Sequence, residues 1–497
     1  MAEIKAKGLV SGKDYTYVDK VIGAGGMKDV YFSPDKKYVV AFFRTRPDTT
    51  GMNRLKNIVD KYRHTIFDSP NGEYWLERFS WPTDIVDVGG KIGVVAPTYE
   101  GKYFFTYGSK NNDYLKIKGR EKEGKWFASS RNRSKHLDAR ELGELRTNLR
   151  MVLELSRAVR KLHAVGLAHS DLSYKNVLVD PSTGSACMID IDGLVVPGIF
   201  PPDVVGTPDF IAPEVVSTQH LSSRDPQRKL PSALTDRHAL AVLIYMYLLY
   251  RHPLRGGKHH DSDAMKDEEL MMGAKALFIE HPSDKTNQVK RSQLKDDELP
   301  WGDPTMMPMT TLGPHLTQLF NKAFVDGLHE PTKRPSPAEW EEALVRTLDL
   351  IQPCANKNCP QKQFIFDNTG APSCPVCKTK YVGKLPILDL YSKGADGNFR
   401  ALNRRLMVWD GQSIFPWHVD RAIFPNENLV EANKQRVGYF QIQGGTWVLV
   451  NESMQDLSDA QAKTKVSIGT SIKLEDGKMI LFGTGDTHLL ARVTVVN

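Results

Sequence analysis

The pattern of apolar residues predicts an α+β chain built in several parts, and three observations predict it. Strand-like runs bracket a glycine cluster near residue 23 and recur at 38–44, 84–88 and 91–96. Helical periodicity then takes over at 52–66 and 149–165, and the twelve-residue apolar run 239–250 reads as a buried helix too short to span a bilayer. Past residue 350, four cysteines in two short knuckles precede a stretch dominated by strand and turn signals. A chain of 497 residues has room for two to four domains.

In chain order, residues 17–32 place two β-rich runs around Gly23, Gly25 and Gly26, a hairpin whose backbone can lie close to phosphates. The strand 38–44 carries Ala41, Phe43 and Arg44; successive side chains face opposite ways, so Phe43 and Arg44 lie on opposite faces. Residues 52–66 bear Met52, Leu55, Ile58, Val59, Tyr62 and Ile66 on one helical stripe. Between residues 109 and 136, nine basic residues stand against three acids, a local net of +6 within a chain of net charge +7. This reads as a solvated insertion, with a docking surface for an acidic partner as the alternative. No nucleic-acid or membrane partner is expected.

The stretch 169–179, H-S-D-L-S-Y-K-N-V-L-V, has the spacing that phosphoryl transfer requires. Asp171 is placed to accept a hydroxyl proton, and Asn176, five residues on, to hold a metal ion. The apolar strand at 188–193 then ends in Asp190, followed by Asp192. Residues 206–214 read G-T-P-D-F-I-A-P-E, 235–241 read T-D-R-H-A-L-A, and 333–336 read K-R-P-S.

These ordered motifs resemble those of the protein kinase family over roughly residues 15–350. The resemblance implies a bilobal kinase-like fold, with an N-lobe and hinge at 1–101 and a C-lobe at 102–350 carrying the basic insertion 109–136. It implies ATP and Mg²⁺, with Asp171 as base and Asn176 and Asp190 on metal. Asp192, where the family has glycine, either reaches a second metal or caps a turn. Gly23, Gly25, Gly26, Val30 and Ala41 would cover the nucleotide, Thr207 would dock a Ser/Thr substrate, and Glu214 would pair with Arg334. Two departures stand out: Phe43 occupies the position of the phosphate-pairing lysine, and Lys28 replaces the third loop glycine. The loop is similar to that of the with-no-lysine kinases, G-x-G-x-x-K, so Lys28 is expected to supply the missing cation. Asp60 has roughly the spacing of the helix acid that would orient it, a solvated residue on the helix face being the other reading, with Glu73 and Glu77 as alternative acids.

Cys354 and Cys359 form C-x4-C, and Cys374 and Cys377 form C-x2-C, fourteen residues apart. Four thiolates in two knuckles suit a tetrahedral, structural Zn²⁺, and the C-P-x-C knuckle resembles zinc ribbons. The ribbon is expected over 351–384 and a small all-β, sandwich-like domain over 385–497, with hairpin signals at Asp410-Gly411, Gly444-Gly445 and Asp476-Gly477. That tail vaguely resembles a forkhead-associated domain but lacks its phosphothreonine-binding residues. The first residues are charged with no apolar stretch behind them, so no secretory leader is expected, and the cysteine pattern fits a reducing cytoplasm. The order kinase, ribbon, β domain resembles bacterial kinases of tellurium-resistance-type stress systems. That resemblance implies a protein substrate, with a metal-dependent phosphatase and a von Willebrand A protein as associates. A pseudokinase scaffold recruiting partners through the zinc and β modules is the alternative.

Overall fold

The computed structural model describes residues 2–24, 27–196, 199, 206–222 and 225–496, so Gly25 and Gly26 lie outside the described residues. Helix and sheet are mixed along the chain. It forms two compact units, Met1–Met309 with Gln318–Glu341, and Thr310–Thr317 with Glu342–Asn497.

The first unit opens with an antiparallel hairpin, β1 (Glu3–Lys7) and β2 (Asp14–Val18). A five-stranded antiparallel sheet follows: β3 (Val21–Ala24), β4 (Lys28–Phe32), β5 (Tyr38–Phe43), β6 (Asp84–Val88) and β7 (Lys91–Pro97), in the order β3-β4-β5-β7-β6. Strand alternation sorts β5 onto two cores. Val40 and Phe42 pack with Ala6 and Tyr17 of the hairpin, while Ala41 packs with Leu55 and Val59 from the helical side. That side begins with α1 (Thr49–Asn57), whose N-cap Asp48 accepts a hydrogen bond from the Gly51 amide at 2.7 Å. It continues as a π-helical turn, Ile58–Tyr62, and Arg63–Phe67. The apolar stripe is buried at Leu55, Ile58, Val59, Tyr62 and Ile66.

The helix Leu145–Ala164 starts from a reciprocal cap, in which the Glu144 amide donates to Thr147 Oγ1 at 2.9 Å. The helix Ala233–Leu249 is capped by Ser232 and buried on all sides from Ala239 to Leu249, which is why its sequence shows no polar face. Between them lies a short antiparallel pair, β8 (Val177–Asp180) and β9 (Ser185–Met188). These two strands present Asn176 and Asp190 at their ends.

In the second unit, a six-stranded and a four-stranded sheet share one core of Leu388, Leu390, Phe440, Leu449, Ile472 and Ile480. Of the three hairpin signals, Gly444-Gly445 is a two-residue turn with both φ positive, 55° and 78°, joining Gly438–Gln443 to Thr446–Asn451. The other two turns carry the chain from one sheet to the other, because a Gly at positive φ serves a crossing as well as a hairpin. Among the described residues, no helix is long and apolar enough to cross a membrane.

Candidate functional site

The loop after the helix Leu145–Ala164 is held by Asp236, which accepts hydrogen bonds from the His169 amide at 2.7 Å and the Ser170 amide at 3.2 Å. Asp236 is 2 % exposed, and His163 Nε2 lies 3.1 Å from it. Ser170 is thereby fixed at a left-handed φ of 64°, a strained backbone that its surroundings must hold.

Asp171 follows with its carboxylate accepting from two sides. Asn176 Nδ2 donates to one oxygen at 3.0 Å and to the Asp171 carbonyl at 2.9 Å; the Thr207 amide donates to the other oxygen at 2.6 Å. Thr207 Oγ1 also lies 3.3 Å from Ser173 Oγ. With its amide nitrogen committed to Asp171, Asn176 keeps its carbonyl oxygen as an acceptor. Behind Thr207, Arg334 grips Glu214 with two hydrogen bonds at 2.8 and 2.7 Å. Arg334 also donates to the carbonyls of Leu234, Gly327 and Leu328. The buried guanidinium of Arg334 is thereby paired with the half-buried Glu214 rather than stranded.

Asp190 also sits at a left-handed φ, 60°, and its side chain is 48 % exposed. Opposite it stands Lys28. In the sheet register Lys28 lies directly across from Phe43, and Val30 across from Ala41. Cross-strand partners share a face, so Lys28 emerges on the face where a residue-43 side chain would. Its ammonium lies 5.4 Å from the centre of the Phe43 ring, 2.8 Å from Asp190 Oδ1 and 2.7 Å from both oxygens of Asp192. Burial works against the Lys28 charge, but the carboxylates of Asp192 and Asp190 outweigh it and raise its pKa. Burial likewise works against a charged Asp190, and Lys28 outweighs it and holds the carboxyl below its usual range. Arg44 takes the opposite face, as alternation requires, and pairs with Asp29 at 2.7 Å.

The nucleotide-covering candidates Gly23 and Val30 are cross-strand partners on β3 and β4, beside Ala41 on β5. Asp60 is not brought to this cluster. Its side chain is 62 % exposed and lies 3.5 Å from His64 on the outer face of the π turn. The inward charge of that helical segment is instead Arg54, 5 % exposed on α1. Sequence reasoning passed over Arg54, although the helical stripe signals it: it precedes Leu55 on the inner face. The basic insertion is largely engaged with its own surroundings. Lys122 is buried between Glu141 and Asp180 at 3.1 and 2.8 Å, and Arg133 lies over the Tyr250 ring at 4.0 Å. Lys125 pairs with Glu123, Arg131 and Lys135 approach Asp297, and Lys110 donates to the Ser134 carbonyl.

The sulfurs of Cys354, Cys359, Cys374 and Cys377 all lie within 4.8 Å of one another. Two of the separations are 3.5 and 3.7 Å, close to the edge of about 3.8 Å that a tetrahedron of sulfurs about 2.3 Å from a central ion has. The four positions therefore fit a closed, four-thiolate metal site.

Residues 127–345 match the protein kinase domain family. The match takes in Asp171, Asn176, Asp190, Thr207, Glu214, Asp236 and Arg334, and begins after the sheet that carries Lys28. The chain is 32% identical over 114 residues to the death-associated protein kinase dapk-1 of Caenorhabditis elegans, covering 22% of this chain and 7% of the relative. It is 34% identical over 82 residues to a dual serine/threonine and tyrosine protein kinase of Gallus gallus, covering 16% of this chain and 9% of that protein. The chain thus spans less than a tenth of these relatives' lengths. Among solved structures it aligns with a Toxoplasma gondii rhoptry antigen kinase domain at 14% identity and TM-score 0.39, covering 70% of this chain and 86% of that one.

Proposed function

We propose that the chain is an ATP- and Mg²⁺-dependent Ser/Thr protein kinase in which Lys28 supplies the phosphate-facing cation. The observation that carries this reading is the placement of the Lys28 ammonium across from Phe43 and against Asp190, whose neighbour Ile189 donates its amide to the Asn176 backbone carbonyl at 3.0 Å. Asp171 would accept the proton of the substrate hydroxyl. Its carboxylate is already aimed by Asn176 and the Thr207 amide, so little reorganisation is needed at the moment of transfer. Asp190 and the free oxygen of Asn176 are the hard donors that would hold Mg²⁺, which supplies charge neutralisation on the phosphates. Val30 and Ala41 would line the nucleotide base, and the turn at 97–101 would serve as the hinge between an N-lobe, 1–101, and a C-lobe, 102–350.

The four cysteines would hold one structural Zn²⁺ in a ribbon at 351–384, and the sheets of 385–497 would form a separate β domain. Thr207 supports a Ser/Thr preference. By resemblance of module order, the setting would be a cytoplasmic bacterial stress system. The substrate would be a protein, and a metal-dependent phosphatase and a von Willebrand A protein would be associates. Phe43 is the observation that favours a pseudokinase scaffold, and Lys28 opposite it is the answer to that observation.

Labelled-ATP incorporation tests the reading, on the chain itself and on generic serine, threonine and tyrosine acceptors. Wild type is expected to transfer phosphate and Asp171→Ala to lose it. A wild type that binds nucleotide but transfers nothing makes the chain a scaffold.

A further inference from the structure

Lys28 meets two carboxylates that are not equivalent. Asp190 offers one oxygen at 2.8 Å and is half open to solvent; Asp192 offers both oxygens at 2.7 Å and is 10 % exposed. If Asp190 holds a metal, as proposed above, its charge is shared and Asp192 is left as the lysine's principal partner. Asp192 stands in a short turn, Ile191–Gly193, that packs against the π turn following α1. From α1 and the π turn, Leu55 and Val59 pack on the face of the sheet that carries Val30, Ala41 and Phe43.

We infer that Asp192 is a positioning residue that holds Lys28 toward the phosphates, braced by the packing of its turn on the π turn after α1, and that it is not a metal ligand. The inference rests on the kinase reading for the destination of Lys28 and for the metal on Asp190. A metal on Asp192 would draw its charge away from Lys28 and weaken the main counter-charge of a partly buried ammonium.

Binding of a fluorescent ATP analogue to the full chain tests this, with Mg²⁺ titrated and in a separate series with a chelator. Asp192→Asn is expected to weaken binding about tenfold, the scale of losing one charge-assisted contact. The loss should be equal in both series, with the Mg²⁺ half-saturation unchanged. Asp192→Glu should restore most of the affinity. Should Asp192→Asn fail to fold by thermal melting, the Glu variant decides alone. A defect that disappears in chelator, or a raised Mg²⁺ half-saturation, would overturn the inference. Intact nucleotide binding without phosphate transfer overturns the kinase reading and leaves this one standing.

Discussion

Two lysines in the first unit each sit between two carboxylates, and they live in different surroundings. Lys122 lies with Glu141 and Asp180 at side-chain exposures of 4, 2 and 2 %. Lys28 lies with Asp190 and Asp192 at 17, 48 and 10 %. The partners and distances are nearly the same; access differs. The sealed triad has every charge spent on its neighbours, so it can only hold the basic insertion against β8. The open one leaves a carboxylate exposed to solvent, which is what a site that must exchange partners needs. Burial, more than the identity of the charges, separates the two clusters.

Removing the sealed lysine should give the largest effect. Lys122→Met strands two buried carboxylates and should cost about 3–5 kcal/mol of stability, read by denaturant unfolding. A loss under about 1 kcal/mol would mean the triad is no more structural than the open one. Lys28→Ala should do the opposite, lowering turnover by a factor of about 10² or more while moving the melting temperature less than Lys122→Met does. Arg44→Ala, on the other face, should stay within about twofold of wild type. A dead Arg44→Ala variant would break the assignment of faces.

Acid sharpens the contrast further. Burial raises the Asp180 carboxyl, but Lys122, Ser182 and Thr183 outweigh it and hold it below its ordinary value. A depressed folded pKa contributes stability that is present above the unfolded value of about 3.9 and lost as pH falls through the folded one. Unfolding free energy measured from pH 5 to 2.5 should therefore fall below about pH 4, and less steeply in Lys122→Met. The four thiols make a third cluster. Cys374→Ser should lower bound zinc from about one per chain and loosen the second unit while leaving ATP-analogue binding unchanged. Metal-free protein with the cysteine segment still ordered would sink that expectation.

Local rules made part of this legible from residues alone. Strand alternation separated Phe43 from Arg44, and helical periodicity found Leu55 through Ile66. The Glu214–Arg334 pair was legible because two separate motifs each carried half of it. For Asp60 the spacing leaves two readings, an orienting acid and a solvated helix-face residue, and the helix's own pattern favours the second. With Leu55, Ile58, Val59 and Tyr62 inward, residue 60 points out and residue 54 in. The Lys122 triad was invisible, since its members are distant in sequence and a charge-rich segment reads as solvated until a fold closes over it. The turns at Gly411 and Gly477 were seen as turns and assigned the wrong partners, because a dipeptide specifies backbone geometry and says nothing of which sheet comes next.

The pairing of Lys28 with Phe43 across two strands has one more consequence. The two positions are cross-strand partners and share a face of the sheet. Under the kinase reading proposed above, a lysine gone from β5 and a glycine gone from the loop would be one transposition in space, scored as two losses by a position-by-position comparison.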